Sequence, residues 1–161
     1  LDTGLNTMTG GRIKRIKPYV YNEPFMLTYG DGLADVDLHA LEKFHKSHGK
    51  TASITTVNIA QMKGIMEVDN NNIVKTFREK EEGDGDLING GFMVLNPKVF
   101  DYIDSDDTIF EQGPLQNLVA DKELMSFYHP GFWQCMDTQR ERIKLETLWN
   151  TGKAPWKKWK D

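Results

Sequence analysis

Two aspartates stand out by their neighbours. Asp31 lies between two glycines in FMLTYGDGLADVD (residues 25–37), just after an apolar run ending at Tyr29. Asp137 follows the aromatic stretch HPGFWQCM and precedes a helical pattern. Flanking glycines let a backbone pass close to a ligand and let the carboxylate project without crowding. A carboxylate facing phosphates repels them unless a cation lies between, and Mg2+ sites use one or two protein carboxylates completed by phosphate oxygens and water. Asp31 and Asp137 could form such a pair. Two plainer readings stay open beside it: Asp-Gly is a common turn dipeptide, and an aspartate before a helix is a natural N-cap.

Other segments carry weaker signals. Lys80, in FREKEEGDGDLINGGF (77–92), is a candidate point charge for a phosphate. Asn89, Gly90 and Gly91 offer an amide and accessible backbone groups suited to hydroxyl-rich ligands, whereas Asp84 and Asp86 read as a loop between strands. TGLNTMTGGR (3–12) could cradle a nucleotide, and its composition favours a loop. DSDDTIFEQG lacks the glycine that a calcium-binding EF-hand loop needs at its sixth position, and no GxSxG supports a nucleophilic hydrolase. Gly83, Gly85 and Ile88 do not complete a dinucleotide-binding fingerprint. His45 and His48 have no companion Cys/His cluster for zinc.

The elements that must position these residues follow from periodicity. Leu27 to Tyr29 end a short buried strand. Asp37 caps a helix over LHALEKFHKSH, which Gly49 stops. TASITTV (51–57) is rich in β-branched residues and gives the next strand, so strand, helix and strand follow as in a parallel βαβ unit. GIMEVDNNNIVKTFREK (64–80) reads as an antiparallel hairpin turning at Asp69 to Asn72. INGGFMVLN (88–96) is another strand, Pro97 opens a helix, Gly113-Pro114 begins one more, and LMSFYHPGFWQ supplies a strand and a crossing. DTQRERIKLETLWNTG closes with an amphipathic helix that Gly152 stops. The 161 residues show no repeat and no linker, and are expected to form one α/β domain.

Composition bounds the class. Hydrophobic content of 39%, aromatic content of 11% and charged content of 27% suit a globular chain. A net charge of −4 argues against a general nucleic-acid binder, although GGRIKRIK is locally basic. No apolar run reaches membrane-spanning length, so no membrane partner is expected, and WKKWK reads as a surface tail. The single cysteine, Cys135, excludes an internal disulfide and fits a reducing cytoplasm.

In order, DTGxxxxMTGGRxKR, TYGDGxAD, EKxxGDGxxINGGF, HPGFWQxMDT and GKAPWK resemble the glucose-1-phosphate cytidylyltransferases, which are sugar-nucleotide pyrophosphorylases of the nucleotidyltransferase superfamily. The resemblance covers nearly the whole chain. It implies the C-terminal portion of a Rossmann-like α/β domain, with a mixed, mainly parallel sheet flanked by helices and an antiparallel hairpin insertion. It implies Mg2+-dependent in-line attack of α-D-glucose 1-phosphate on the α-phosphorus of CTP, giving CDP-glucose and pyrophosphate. Asp31 and Asp137 match the family's metal-binding aspartates, and Thr7 and Arg12 match nucleotide contacts. Lys80 matches the sugar-phosphate lysine, and Asn89 and Gly90 match sugar contacts. A homo-oligomer is implied as well. The family's GGxGTR triphosphate loop has no counterpart here, so the full-length chain is expected to be the enzyme and the 161 residues alone to turn over weakly or not at all. An inert sugar-nucleotide-binding or oligomer-forming module is the alternative. Gln61 to Gly64 replace the family's Arg-Phe-Gly loop, and Glu81 replaces the proline after Lys80.

Overall fold

The computed structural model describes residues 1–20, 22–58, 65–68, 74–78 and 87–159, with the backbone alone at 65–68 and 74–78. Lys80, Asp84, Asp86, the hairpin turn at 69–72 and the 61–64 segment lie outside the described residues.

The central sheet has the strand order β1-β6-β3-β7, formed by Phe25–Leu27, Leu87–Leu95, Ala52–Asn58 and Leu124–His129. β1 and β3 both run antiparallel to β6, while β7 runs parallel to β3, so three of the four strands share one direction. The strand–helix–strand unit is present, but its two strands are not neighbours. β6 lies between them, against the expectation of a directly paired parallel unit. The hairpin forms as expected, with β4 (Ile65–Val68) antiparallel to β5 (Val74–Arg78).

Residues alternate faces along β3, and both faces are covered. Ala52 and Ile54 point into a core with Met93, Leu95, Val99, Phe100, Phe110 and Leu118. Phe110 and Leu118 are fully buried, each contributing about 2 kcal/mol of transfer free energy. On the opposite face Ser53 bonds His45 Nδ1 at 2.9 Å and His48 Nε2 at 2.8 Å, which fixes α3 (Leu38–His48) against the sheet. As expected, the Asp37 carboxylate caps α3 by accepting from the Ala40 amide at 2.9 Å, and Gly49 ends it at φ +65°.

The remaining core face is closed by a 3-10 turn over Pro97–Tyr102 and α4 (Pro114–Ala120). The first helix, α1 (Thr9–Arg15), lies where composition favours a loop. Its glycines explain why it forms: the Met8 and Gly10 amides donate to the Asp106 and Thr108 carbonyls at 2.9 and 2.8 Å, and a Cβ on Gly11 would overlap the Asp106 backbone. A short turn, α2 (Lys17–Val20), follows.

A second sheet is a two-stranded antiparallel ribbon of β2 (Gly32–Ala34) and β8 (Trp133–Cys135), which pairs Gly32 with Cys135 and Ala34 with Trp133. α5 (Gln139–Asn150) leaves this ribbon. The chain then returns, with Trp156 packed on Phe132 at 5.4 Å between centroids and Lys158 Nζ 3.4 Å from Asp35 Oδ2. Residues 156–159 of the segment read as a surface tail are thus folded back onto the ribbon.

Candidate functional site

The site is assembled around a break in β6. Met93 pairs with Ile54 and Asn89 with Thr56, so Gly90, Gly91 and Phe92 together stand opposite Thr55 alone. The extra residues are accommodated by left-handed backbone at Gly91 (φ +73°) and Phe92 (φ +41°), and the Thr55 hydroxyl holds the bulge by donating to the Phe92 carbonyl at 2.8 Å. Gly90 is buried, and a Cβ there would sit 3.1 Å from Val57 Cγ1 and 3.2 Å from the Thr55 carbonyl. Asn89, at the start of the bulge, is exposed, and its Oδ1 accepts from the Gly91 amide at 2.8 Å.

The ribbon is tied to this bulge. Trp133 Nε1 donates to the Gly90 carbonyl at 2.8 Å. Next to it, at the same end of the ribbon, Asp35 acts as a hub, accepting from the Phe132 amide at 2.7 Å and lying 3.0 Å from His129 Nε2. Burial pulls the Asp35 carboxyl upward, but the Phe132 amide, Lys158 and His129 outweigh it and hold the group below its ordinary range. Together these contacts anchor the Ala34–Trp133 end of the ribbon.

Asp31 directly precedes β2, and Asp137 stands two residues beyond the end of β8. Because Gly32 faces Cys135 in an antiparallel ribbon, both aspartates sit at the same end of it. Both are exposed. The helix cap expected of Asp137 belongs instead to Thr138, whose hydroxyl accepts from the Glu141 amide at 3.3 Å while the Glu141 carboxylate accepts from the Thr138 amide at 2.8 Å. The T-x-x-E spacing that signals this capping box is present in the sequence.

Cys135, Asp137 and Glu141 offer ligand atoms within 4.8 Å of one another. The chemistry of that trio separates its members. Glu141 is occupied at the helix start, where it also accepts from the Asp137 amide at 3.0 Å. Burial, and then hydrogen bonding to Asp137, push the Cys135 thiol up to about 11, so it stays protonated. The exposed carboxylates of Asp31 and Asp137 at this end of the ribbon are hard oxygen donors, the kind that Mg2+ takes. A cleft of about 270 Å3 opens alongside, lined by Asn58, Trp133, Gln134, Cys135 and Lys144 among others.

At the start of α1, Thr7 is buried. Arg12 is exposed and folds back on residues 3–5, donating to Thr3 Oγ1 at 2.5 Å and to the Leu5 carbonyl at 3.3 Å. A residue that no motif marks joins the start of α1 to the bulge. Glu111 accepts from the Tyr29 hydroxyl at 2.8 Å and from the Thr9 hydroxyl at 2.8 Å, and Tyr29 in turn accepts from Asn89 Nδ2 at 3.0 Å.

A protein-family model described as Nucleotidyl transferase matches residues 10–158. The chain belongs to the nucleotidyl transferase family. This nucleotidyl transferase chain is 52% identical over 160 residues to the glucose-1-phosphate cytidylyltransferases of Salmonella typhi and of Salmonella typhimurium, covering 99% of this chain and 62% of each relative. It therefore spans less than two thirds of the length of those relatives. A UDP-glucose pyrophosphorylase solved with UDP-glucose shares the fold, with a TM-score of 0.68 at 13% identity over 94% of this chain and 65% of that one. In this family member the described residues expected to share a site divide into three groups: Asp31 with Asp137 at the ribbon end, Asn89 with Gly90 at the bulge, and Thr7 with Arg12 at α1. Trp133 joins the first two. Among the described residues no helix is long and apolar enough to cross a membrane.

Proposed function

We propose that the whole protein is a glucose-1-phosphate cytidylyltransferase. A phosphate oxygen of α-D-glucose 1-phosphate attacks the α-phosphorus of CTP and forms the new P–O bond. The bond from the α-phosphorus to the oxygen bridging the β-phosphorus breaks, and pyrophosphate leaves with that electron pair, giving CDP-glucose. Such a transfer needs no covalent enzyme intermediate, and its catalysis rests on positioning and charge neutralisation.

In this reading Asp31 and Asp137 hold Mg2+, which neutralises phosphate charge next to the carboxylates. Asn89 and the Gly90 backbone contact sugar hydroxyls, and Lys80 takes the sugar phosphate as a point charge. Thr7 and Arg12 contact the nucleotide; three of the five guanidinium N–H groups of Arg12 are left after its bonds to Thr3 and Leu5. The lone cysteine fits a cytoplasmic setting. The observation that carries the reading is the β2–β8 register, which sets two carboxylates at one end of a ribbon that Trp133 fastens to the Asn89–Gly90 bulge. The 52% identity to named cytidylyltransferases supports the choice of nucleotide and sugar.

The test is pyrophosphate release by the whole protein with Mg2+, glucose 1-phosphate and CTP, UTP, GTP or dTTP in turn. CTP is expected to exceed the others clearly. Preference for another nucleotide would overturn the base assignment, and release with none of them would overturn the reading.

A further inference from the structure

The chain of hydrogen bonds through Glu111 has a fixed direction. The Phe110 amide donates to Thr9 Oγ1 at 2.9 Å, so the Thr9 proton is committed to Glu111 Oε2. Tyr29 donates to Glu111 Oε1, which leaves its oxygen as the acceptor for Asn89 Nδ2. The Gly91 amide donates to Asn89 Oδ1, which requires the same orientation of the Asn89 amide. A carboxylate can only accept, so Glu111 takes both hydroxyl protons and leaves the Tyr29 oxygen to anchor Asn89 Nδ2, while the Phe110 and Gly91 amides set matching directions at the two ends of the relay. Glu111 is 82 residues from Tyr29 and 102 from Thr9, so the contacts are tertiary. Burial first, and then Glu111, push the Tyr29 phenol up to about 12, so it remains a donor across the physiological range. The Tyr29 ring is also packed on the bulge: a Cβ on Gly91 would sit 3.1 Å from Tyr29 Cδ2.

We propose that Glu111 is a positioning residue for the sugar phosphate, holding the Asn89 amide in one orientation through Tyr29. Asn89 keeps one N–H and one oxygen lone pair beyond the relay, the pattern that a vicinal hydroxyl pair can meet as acceptor and donor. The inference rests on the cytidylyltransferase reading and adds to it a residue outside the binding groups.

The test compares the whole wild-type protein with Glu111→Gln, Tyr29→Phe, Asn89→Ala and the double variant Glu111→Gln/Asn89→Ala. Gln is close to isosteric but can donate back into the relay. Losing a directed, charge-assisted bond should raise the KM for glucose 1-phosphate about tenfold while the KM for CTP stays within about twofold. Tyr29→Phe should behave alike, which guards against a folding defect confined to the Glu111 variant. The double variant should be no worse than Asn89→Ala, because both changes remove one contact. Equal rises in both KM values, or additive effects of Glu111→Gln and Asn89→Ala, would overturn the proposal. Absence of turnover by the wild type would remove the cytidylyltransferase reading instead. Calorimetric binding of glucose 1-phosphate to the same proteins then decides the inference, and binding that is unchanged in Glu111→Gln, or absent from the wild type, would overturn it.

Discussion

Gly32 lies opposite Cys135 in the β2–β8 ribbon, and this one register position gathers Asp31 and Asp137, 106 positions apart in sequence, to a single end. A slip of one residue would turn every ribbon side chain to the other face. The register is guarded by Trp133 on the Gly90 carbonyl and by Asp35 on the Phe132 amide.

Gly11→Ala should be costly. The added Cβ overlaps the Asp106 backbone, which cannot swing away as a flexible side-chain tip does. α1 would have to move off the 106–108 segment, straining the amide bonds from Met8 and Gly10. The expected loss is about 1–3 kcal/mol, read as a lower urea midpoint with an unchanged m value. An unaltered midpoint would show that α1 is not held by this close approach.

The Asp35 carboxyl is held below its ordinary range, so its folded pKa lies under its unfolded one. Its stabilisation is therefore present above about pH 4 and is lost as pH falls through the folded value. The wild type should lose more stability than Asp35→Asn between pH 5 and pH 3 by roughly the depression of that one group. Parallel stability curves for the two proteins would contradict the hub role of Asp35.

Cys135 should be a sluggish thiol. With its pKa pushed up to about 11, roughly one molecule in a thousand is thiolate at pH 8. Reaction with a disulfide reagent should be at least tenfold slower in the native protein than after unfolding in urea. Equal rates would mean that neither burial nor Asp137 holds the proton on sulfur.

Much of the frame was legible in the sequence, because the local signals agree with the fold: Asp37 and Gly49 bracket α3, β-branched residues mark β3, and apolar alternation marks the hairpin. What stayed hidden depends on distant partners. Gly10 and Gly11 read as a loop because their value as small residues appears only against the 106–108 backbone. β6 slips between β1 and β3 through pairing, which periodicity does not encode. Of the site, Asp31, Asp137 and the Asn89–Gly91 segment carry a local signature. Glu111 has none, since its role comes from meeting Tyr29 and Thr9, both distant in sequence. The Thr138–Glu141 capping box was readable from its spacing, and would have removed the N-cap alternative for Asp137 at once.

The central claim is that Asp31 and Asp137 act together on one divalent cation. The most direct measurement is pyrophosphate release from CTP and glucose 1-phosphate as a function of Mg2+ concentration, for the whole wild-type protein, Asp31→Asn and Asp137→Asn. Each substitution should lower turnover at least about a hundredfold and weaken the dependence on Mg2+, with the unfolding midpoint unchanged because both side chains are exposed. Near-normal turnover with an unshifted Mg2+ dependence in either variant would take that aspartate out of the metal site and break the pair.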